Sequence, residues 1–168
     1  MLVFALFNSA DVFLLLKTKE VTGSDTVTIS AYILYNIVFA IASYPLGALA
    51  DRMGMRTVFA GGIALFAIVY FLFGVAHSVL PLFAAFILYG IYAAATEGIS
   101  KAWITTIETE KPATAIGFYT SCESICALLA SVIAGAVWSG FGSSATFFLT
   151  AAVAILVLIY MITARFSS

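Results

Sequence analysis

Residues 29–76 read ISAYILYNIVFAIASYPLGALA-DRMGMR-TVFAGGIALFAIVYFLFGVA. Two apolar runs, 29–50 and 57–76, flank a charged break at 51–56. Each run reaches the ~20 residues that a helix needs to cross ~30 Å of hydrocarbon. The runs are continuous and do not alternate, which selects helices over barrel strands.

The same grammar extends in both directions. Further apolar runs cover residues 1–16, 80–107, 113–138 and 145–164, with short polar breaks between them. Composition agrees, because 64% of the residues are hydrophobic and 9% are charged. A soluble domain carries about 25% charged residues and needs them to cover its outside; lipid removes that need. The reading is an all-α membrane protein, a single six-transmembrane-helix bundle over residues 1–168. The first run is short, spanning ~24 Å at 1.5 Å per residue, and its plainest explanation is a chain that starts inside its first span. The start MLVFALF has no basic region before its apolar run and no small-residue cleavage site after it. A secretory signal peptide is therefore not expected.

Several functions are disfavoured at once. The net charge of −1 offers no basic patch for phosphates, so nucleic acid is not an expected partner. Cys122 and Cys126 read as small packing residues, and His77, the only histidine, lies in another segment. No metal, cofactor or enzymatic centre is expected, since no ligand cluster appears and no serine or cysteine has a histidine base in its own segment.

Basic residues near span ends set orientation. One side holds Arg52, Arg56, Lys111 and Arg165, with Lys101 just before a break; the other holds Lys17 and Lys19. This places the DRMGMR break and the C-terminus in the cytoplasm.

Polar residues sort the spans. The third and sixth contain no charge before Arg165, so both can face lipid all round. Polar groups inside the other four are functional candidates, because lipid penalises them. In the fourth span, Phe83, Phe86, Gly90, Ala94, Glu97 and Lys101 share one helix face. Gly90, Ala94 and Gly98 form a small-residue series that allows close helix approach. Glu97 precedes Lys101 by four residues, the spacing of a helical ion pair at the membrane edge; a substrate or gating role is the alternative. In the fifth span, Tyr119, Glu123, Cys126, Ala130 and Ala134 share a face, while Gly117, Ser124 and Ser131 suit helix packing. Glu123 lies ~15 Å from the span start, near the midplane. It has no basic residue within a turn and is the best proton-coupling candidate; a hydrogen-bonded packing group is the bland alternative. The second span aligns Tyr32, Asn36, Ser43 and Gly47. Asn36 reads as interhelical glue or as cavity lining, and Pro45 should loosen the helix. The first span offers Asn8 and Asp11, the latter under two turns from the polar break and open to an interfacial reading.

The break itself carries a pattern, Gly47-Ala-Leu-Ala-Asp51-Arg52-Met53-Gly54-Met55-Arg56-Thr57, or G-x3-D-R-x-G-x-R. Gly47 permits close helix contact, Gly54 permits a tight turn, and Asp51 can face a helix N-terminus. Arg52 and Arg56 anchor the cytoplasmic side. The pattern resembles the loop signature that joins the second and third helices of each six-helix half in the major facilitator superfamily. Thr57 departs from it, since the fullest motif has another basic residue there. The fourth span lacks the arginine common in N-terminal halves. Residues 89–119, YGIYAAATEGISKAWITTIETEKPATAIGFY, resemble the tenth and eleventh helices of bacterial members, and NSADVF at 8–13 resembles their seventh.

The resemblance implies a C-terminal half, helices 7–12, of a secondary active transporter in the bacterial cytoplasmic (inner) membrane. It implies a small-molecule substrate, alternating access and proton or ion coupling as antiporter or symporter. The first and fourth spans would line the central cavity, the second and fifth would flank a partner half, and the third and sixth would face outward. The partners are the lipid bilayer, the substrate and an N-terminal six-helix half missing from this chain. Two alternatives stand beside it: two copies pairing as a minimal transporter, or a non-transporting membrane fragment or assembly partner.

Overall fold

The computed structural model describes residues 1–8 and 11–163. Their helices are α1 (Leu2–Ala5), α2 (Val12–Thr22), α3 (Asp25–Met53), α4 (Met55–Val75), α5 (Val79–Ile107), α6 (Pro112–Phe141) and α7 (Ser143–Thr163). Five of them, α3 to α7, are long and apolar enough to cross a membrane. Their bounds fall within a few residues of the apolar runs, because in lipid every backbone polar group must be satisfied within the helix. Single glycines suffice to divide neighbours: Gly54, at φ 90°, separates α3 from α4, and Gly142, at φ 86°, separates α6 from α7. Such backbone angles favour glycine, which has no Cβ. Arg165 lies outside the described residues.

The first run departs from expectation. A continuous helix over 1–16 is replaced by the single turn α1 and the separate helix α2. Helix α2 continues through residues 17–22, which read as part of a polar break, and stops at Gly23 in the left-handed region. The cause is tertiary. Lys17 is buried, and its ammonium donates to Ser143 Oγ at 2.9 Å and to Glu20 Oε1 at 3.2 Å. Ser143 Oγ in turn donates to Glu20 Oε1 at 3.0 Å, closing a ring between α2 and the start of α7. Buried lysine is rare unless paired in this way. Thr18 returns its hydroxyl to the Leu14 carbonyl at 2.8 Å, so it too can be buried inside α2.

Helix α4 corrects a second expectation. It lies between α5 and α7, and 56% of its most apolar window is buried, against 11% for α3 and for α6. Absence of charge allows a helix to face lipid but does not compel it to. Here small and aromatic residues select packing instead. A Cβ on Gly62 would sit 2.6 Å from Thr96 Cγ2, and one on Gly74 would sit 2.7 Å from the Phe148 ring. Phe66 and Tyr70 lie with ring centroids 4.1 Å apart, and Phe73 stacks on Phe147 of α7 at 5.5 Å. Neither α4 nor α7 faces outward all round; each keeps one exposed stripe, Ile68–Phe71–Val75 on α4 and Leu149–Leu156–Ile159 on α7.

Helices α3 and α5 cross tightly at Gly90, where a Cβ would lie 2.8 Å from Val38 Cβ and 2.9 Å from the Tyr35 carbonyl. The small-residue series reads true at that point. Further along, Gly98 and Gly47 have nothing within 4 Å of a Cβ, and both line a hollow of ≈ 300 Å³ between the two helices.

Candidate functional site

The interruption of the first run places Asn8 and Asp11 beside α5. Asp11 stands at the N-terminal boundary of α2, so its side chain reaches sideways. The Tyr89 hydroxyl of α5 donates to Asp11 Oδ1 at 2.6 Å. Tyr89 is buried and held between Tyr35 and Tyr92, at centroid distances of 5.1 and 5.3 Å. Asp11 is thus anchored to α5 by this hydrogen bond.

Helices α5 and α6 supply the rest. Glu97 lies ten residues before the end of α5 at Ile107, and Glu123 eleven residues after the start of α6 at Pro112. Both are therefore ~15 Å from the helix ends nearest the loop between them. The Tyr119 hydroxyl donates to Glu123 Oε1 at 3.2 Å, one helical turn away. Asn8, Asp11, Glu97, Lys101, Glu123 and Ser124 line one cleft of ≈ 290 Å³. Asn8, Glu97 and Glu123 also border a narrower hollow of ≈ 30 Å³, whose lining includes Phe4, Tyr92 and Tyr119.

Six of the expected pathway residues thus converge: Asn8, Asp11, Glu97, Lys101, Tyr119 and Glu123. The expected ion pair between Glu97 and Lys101 does not form. Among the described residues the ion pairs are Lys17–Glu20 and Lys19–Asp25. Lys101 is exposed and a turn nearer the helix end. Tyr32 and Asn36 lie elsewhere, on an exposed face of α3, where the Asn36 amide donates to the Tyr32 carbonyl of its own helix at 2.8 Å. Among the described residues, Asn36 makes no hydrogen bond to a second helix. Sequence reasoning missed Tyr89, Ser124 and the Lys17–Glu20–Ser143 ring. A tyrosine inside an apolar run is unremarkable by hydropathy, and a lysine in a polar break gives no sign of burial.

The motif residues divide between two surroundings. Gly47 and Asp51 line the hollow between α3 and α5, with Ala94 and Gly98 opposite. The close helix contact expected of Gly47 is not made within this chain. Arg52 is exposed, and Gly54 makes the turn. Arg56 reaches across to α7, where its guanidinium donates to the Met161 carbonyl at 2.7 Å. The last carbonyls of a helix lack partners of their own, and a cation there complements the helix dipole. Arg56→Gln is expected to lower stability by about 1–3 kcal/mol, the scale of a hydrogen bond to a charged group. Thermal unfolding in detergent micelles checks this; an unchanged midpoint would show that the contact adds nothing.

Membrane-length helices packed around an internal polar cleft define a multi-pass helical membrane protein. Compared with known families, residues 1–167 match the Major Facilitator Superfamily. The chain is similar to an uncharacterized MFS-type transporter of Methanocaldococcus jannaschii, with 34% identity over 143 residues. That match covers 81% of this chain and 36% of the relative, so the chain spans well under half of the relative's length. The chain belongs to the major facilitator superfamily, a family of membrane transporters.

Proposed function

We propose that the chain is one six-span half of a secondary active transporter that moves a small molecule by alternating access, coupled to protons or another ion. In this reading α1 and α2 together form the first span, a helix interrupted beside the cleft. Interrupted helices are where transporters of this kind place binding sites near the midplane. The observation that carries the proposal is the convergence of Asn8, Asp11, Glu97 and Glu123 on one cleft from three separate parts of the chain. Polar groups inside a membrane bundle mark substrate and ion paths by default.

The second body is the N-terminal half of the family architecture. Two features support it: the slight burial of α3 and α6, and the greater length of the relative. The basic residues Arg52, Arg56 and Lys111 favour the cytoplasm for the motif side, in the cytoplasmic membrane of a bacterium. Glu123 is the coupling carboxyl and Tyr119 its hydroxyl partner.

The test is transport into proteoliposomes that trap a pH-sensitive dye. The protein, with its second half present, is challenged with amines, carboxylates, sugars and amino acids under an imposed pH gradient. A solute-dependent proton flux that vanishes with a protonophore is the expected result. Solute flux indifferent to every ion gradient would overturn the coupled reading.

A further inference from the structure

Three carboxyls border the cleft, and their surroundings differ. Asp11 takes the Tyr89 hydroxyl and Glu123 takes the Tyr119 hydroxyl. The Glu97 carboxylate has no hydrogen-bond or ion-pair partner among the described residues. Asn8 borders the same two hollows as Glu97, and its Oδ1 is a buried acceptor with no hydrogen-bond partner. An unmatched buried acceptor costs about 1–3 kcal/mol, and among the described residues the arrangement lacks a donor for it. The aromatic rings of Phe4 and Tyr92, 6.2 Å apart, also border the narrower hollow.

We propose that the substrate is a protonated amine carried on an apolar or aromatic body, with its ammonium on Glu97 and one N–H donated to Asn8 Oδ1. The inference rests on the transport reading above and names the substrate class for that cleft. An ammonium supplies both the charge that no described residue pairs with Glu97 and the donor that Asn8 lacks, and aromatic rings bordering the narrower hollow attract a cation. An anion would meet three carboxyls against the single ammonium of Lys101. A bare metal ion is disfavoured, since no group of three His, Cys, Asp or Glu side chains gathers among the described residues. A quaternary ammonium would satisfy Glu97 and leave Asn8 unmatched, which separates the two kinds of cation.

The experiment is equilibrium binding of radiolabelled 2-phenylethylamine to the purified protein, with its second half present, in lipid nanodiscs. Its N,N,N-trimethyl analogue and 3-phenylpropanoate serve as competitors. Saturable binding is expected, weakened about tenfold or more by Glu97→Gln, the scale of one lost charge-assisted hydrogen bond. Glu97→Asp, which keeps the charge, should retain part of it and exclude a folding defect as the cause. The trimethyl analogue should compete about tenfold less well, and the carboxylate not at all. The proposal is overturned by absence of saturable binding, by binding that Glu97→Gln leaves intact, or by equal competition from the carboxylate. A pH-gradient-driven flux of some other solute without amine binding would sink the amine assignment alone. Amine binding of the expected pattern without any flux would instead sink the transport reading.

Discussion

Glu123→Gln is expected to cut pH-gradient-driven flux by about 100-fold or more, the scale of losing a positioned proton-transfer group, in a protein that still folds. Glutamine keeps the volume and an oxygen to accept the Tyr119 hydroxyl, which lies 3.2 Å away. What it cannot do is exchange a proton. The side chain lines the cleft and is half-buried on α6, and no ion pair engages it. Downhill solute exchange without a pH gradient should survive, because that cycle needs no proton. Paired measurements of driven uptake and of exchange in the same vesicles separate coupling from binding. Driven uptake equal to that of the unmodified protein would end the assignment.

Gly90→Ala should destabilise the bundle by about 1–3 kcal/mol, the cost of overpacking a close contact. The added methyl would lie 2.9 Å from the Tyr35 carbonyl oxygen and 2.8 Å from Val38 Cβ. One of these is backbone, so no flexible side chain can swing aside, and α3 and α5 must separate. Gly98→Ala is the control on the same helix. Nothing lies within 4 Å of its added methyl, and replacing a helical glycine by alanine is favourable by about 0.5–1 kcal/mol. The two variants should therefore shift the unfolding midpoint in opposite directions. Equal shifts would show that the α3–α5 crossing is not held at Gly90.

The bounds of the five long helices were legible because lipid imposes a length and an apolar composition that can be counted. The break in the first run was not. It depends on Tyr89 for Asp11 and on Ser143 for Lys17, and both partners are more than 70 residues away in sequence. Helix α4 shows another gap: hydropathy registers that a helix tolerates lipid, while shape decides whether it meets lipid. Gly62 and Gly74 held the clue, as places where a neighbouring helix can approach. In the cleft, Glu97, Glu123 and Asp11 stood out because each is a charge inside an apolar run. The Glu97–Lys101 pair failed because spacing along a helix gives proximity but not contact, and the Lys101 side chain is exposed. Motif residues were legible as a pattern but not as contacts. Arg56 ties α4 to α7, while Gly47 opens on an empty hollow where close packing was expected.

That hollow and the bare faces of α3 and α6 bear on the central claim, that this bundle works against a second six-span body. Spin labels at Ile41 on α3 and Leu128 on α6, compared with Phe71 on α4 and Leu156 on α7, test it directly. All four side chains are exposed in this chain, at 72, 64, 54 and 64%. Measured in proteoliposomes of the protein with its second six-span half present, labels at 41 and 128 should be immobile and poorly accessible to dissolved oxygen, because protein covers them. Labels at 71 and 156 should be mobile and oxygen-accessible, because lipid does. Four labels with the same high oxygen accessibility would contradict the account, since α3 and α6 would then face lipid with no second body against them.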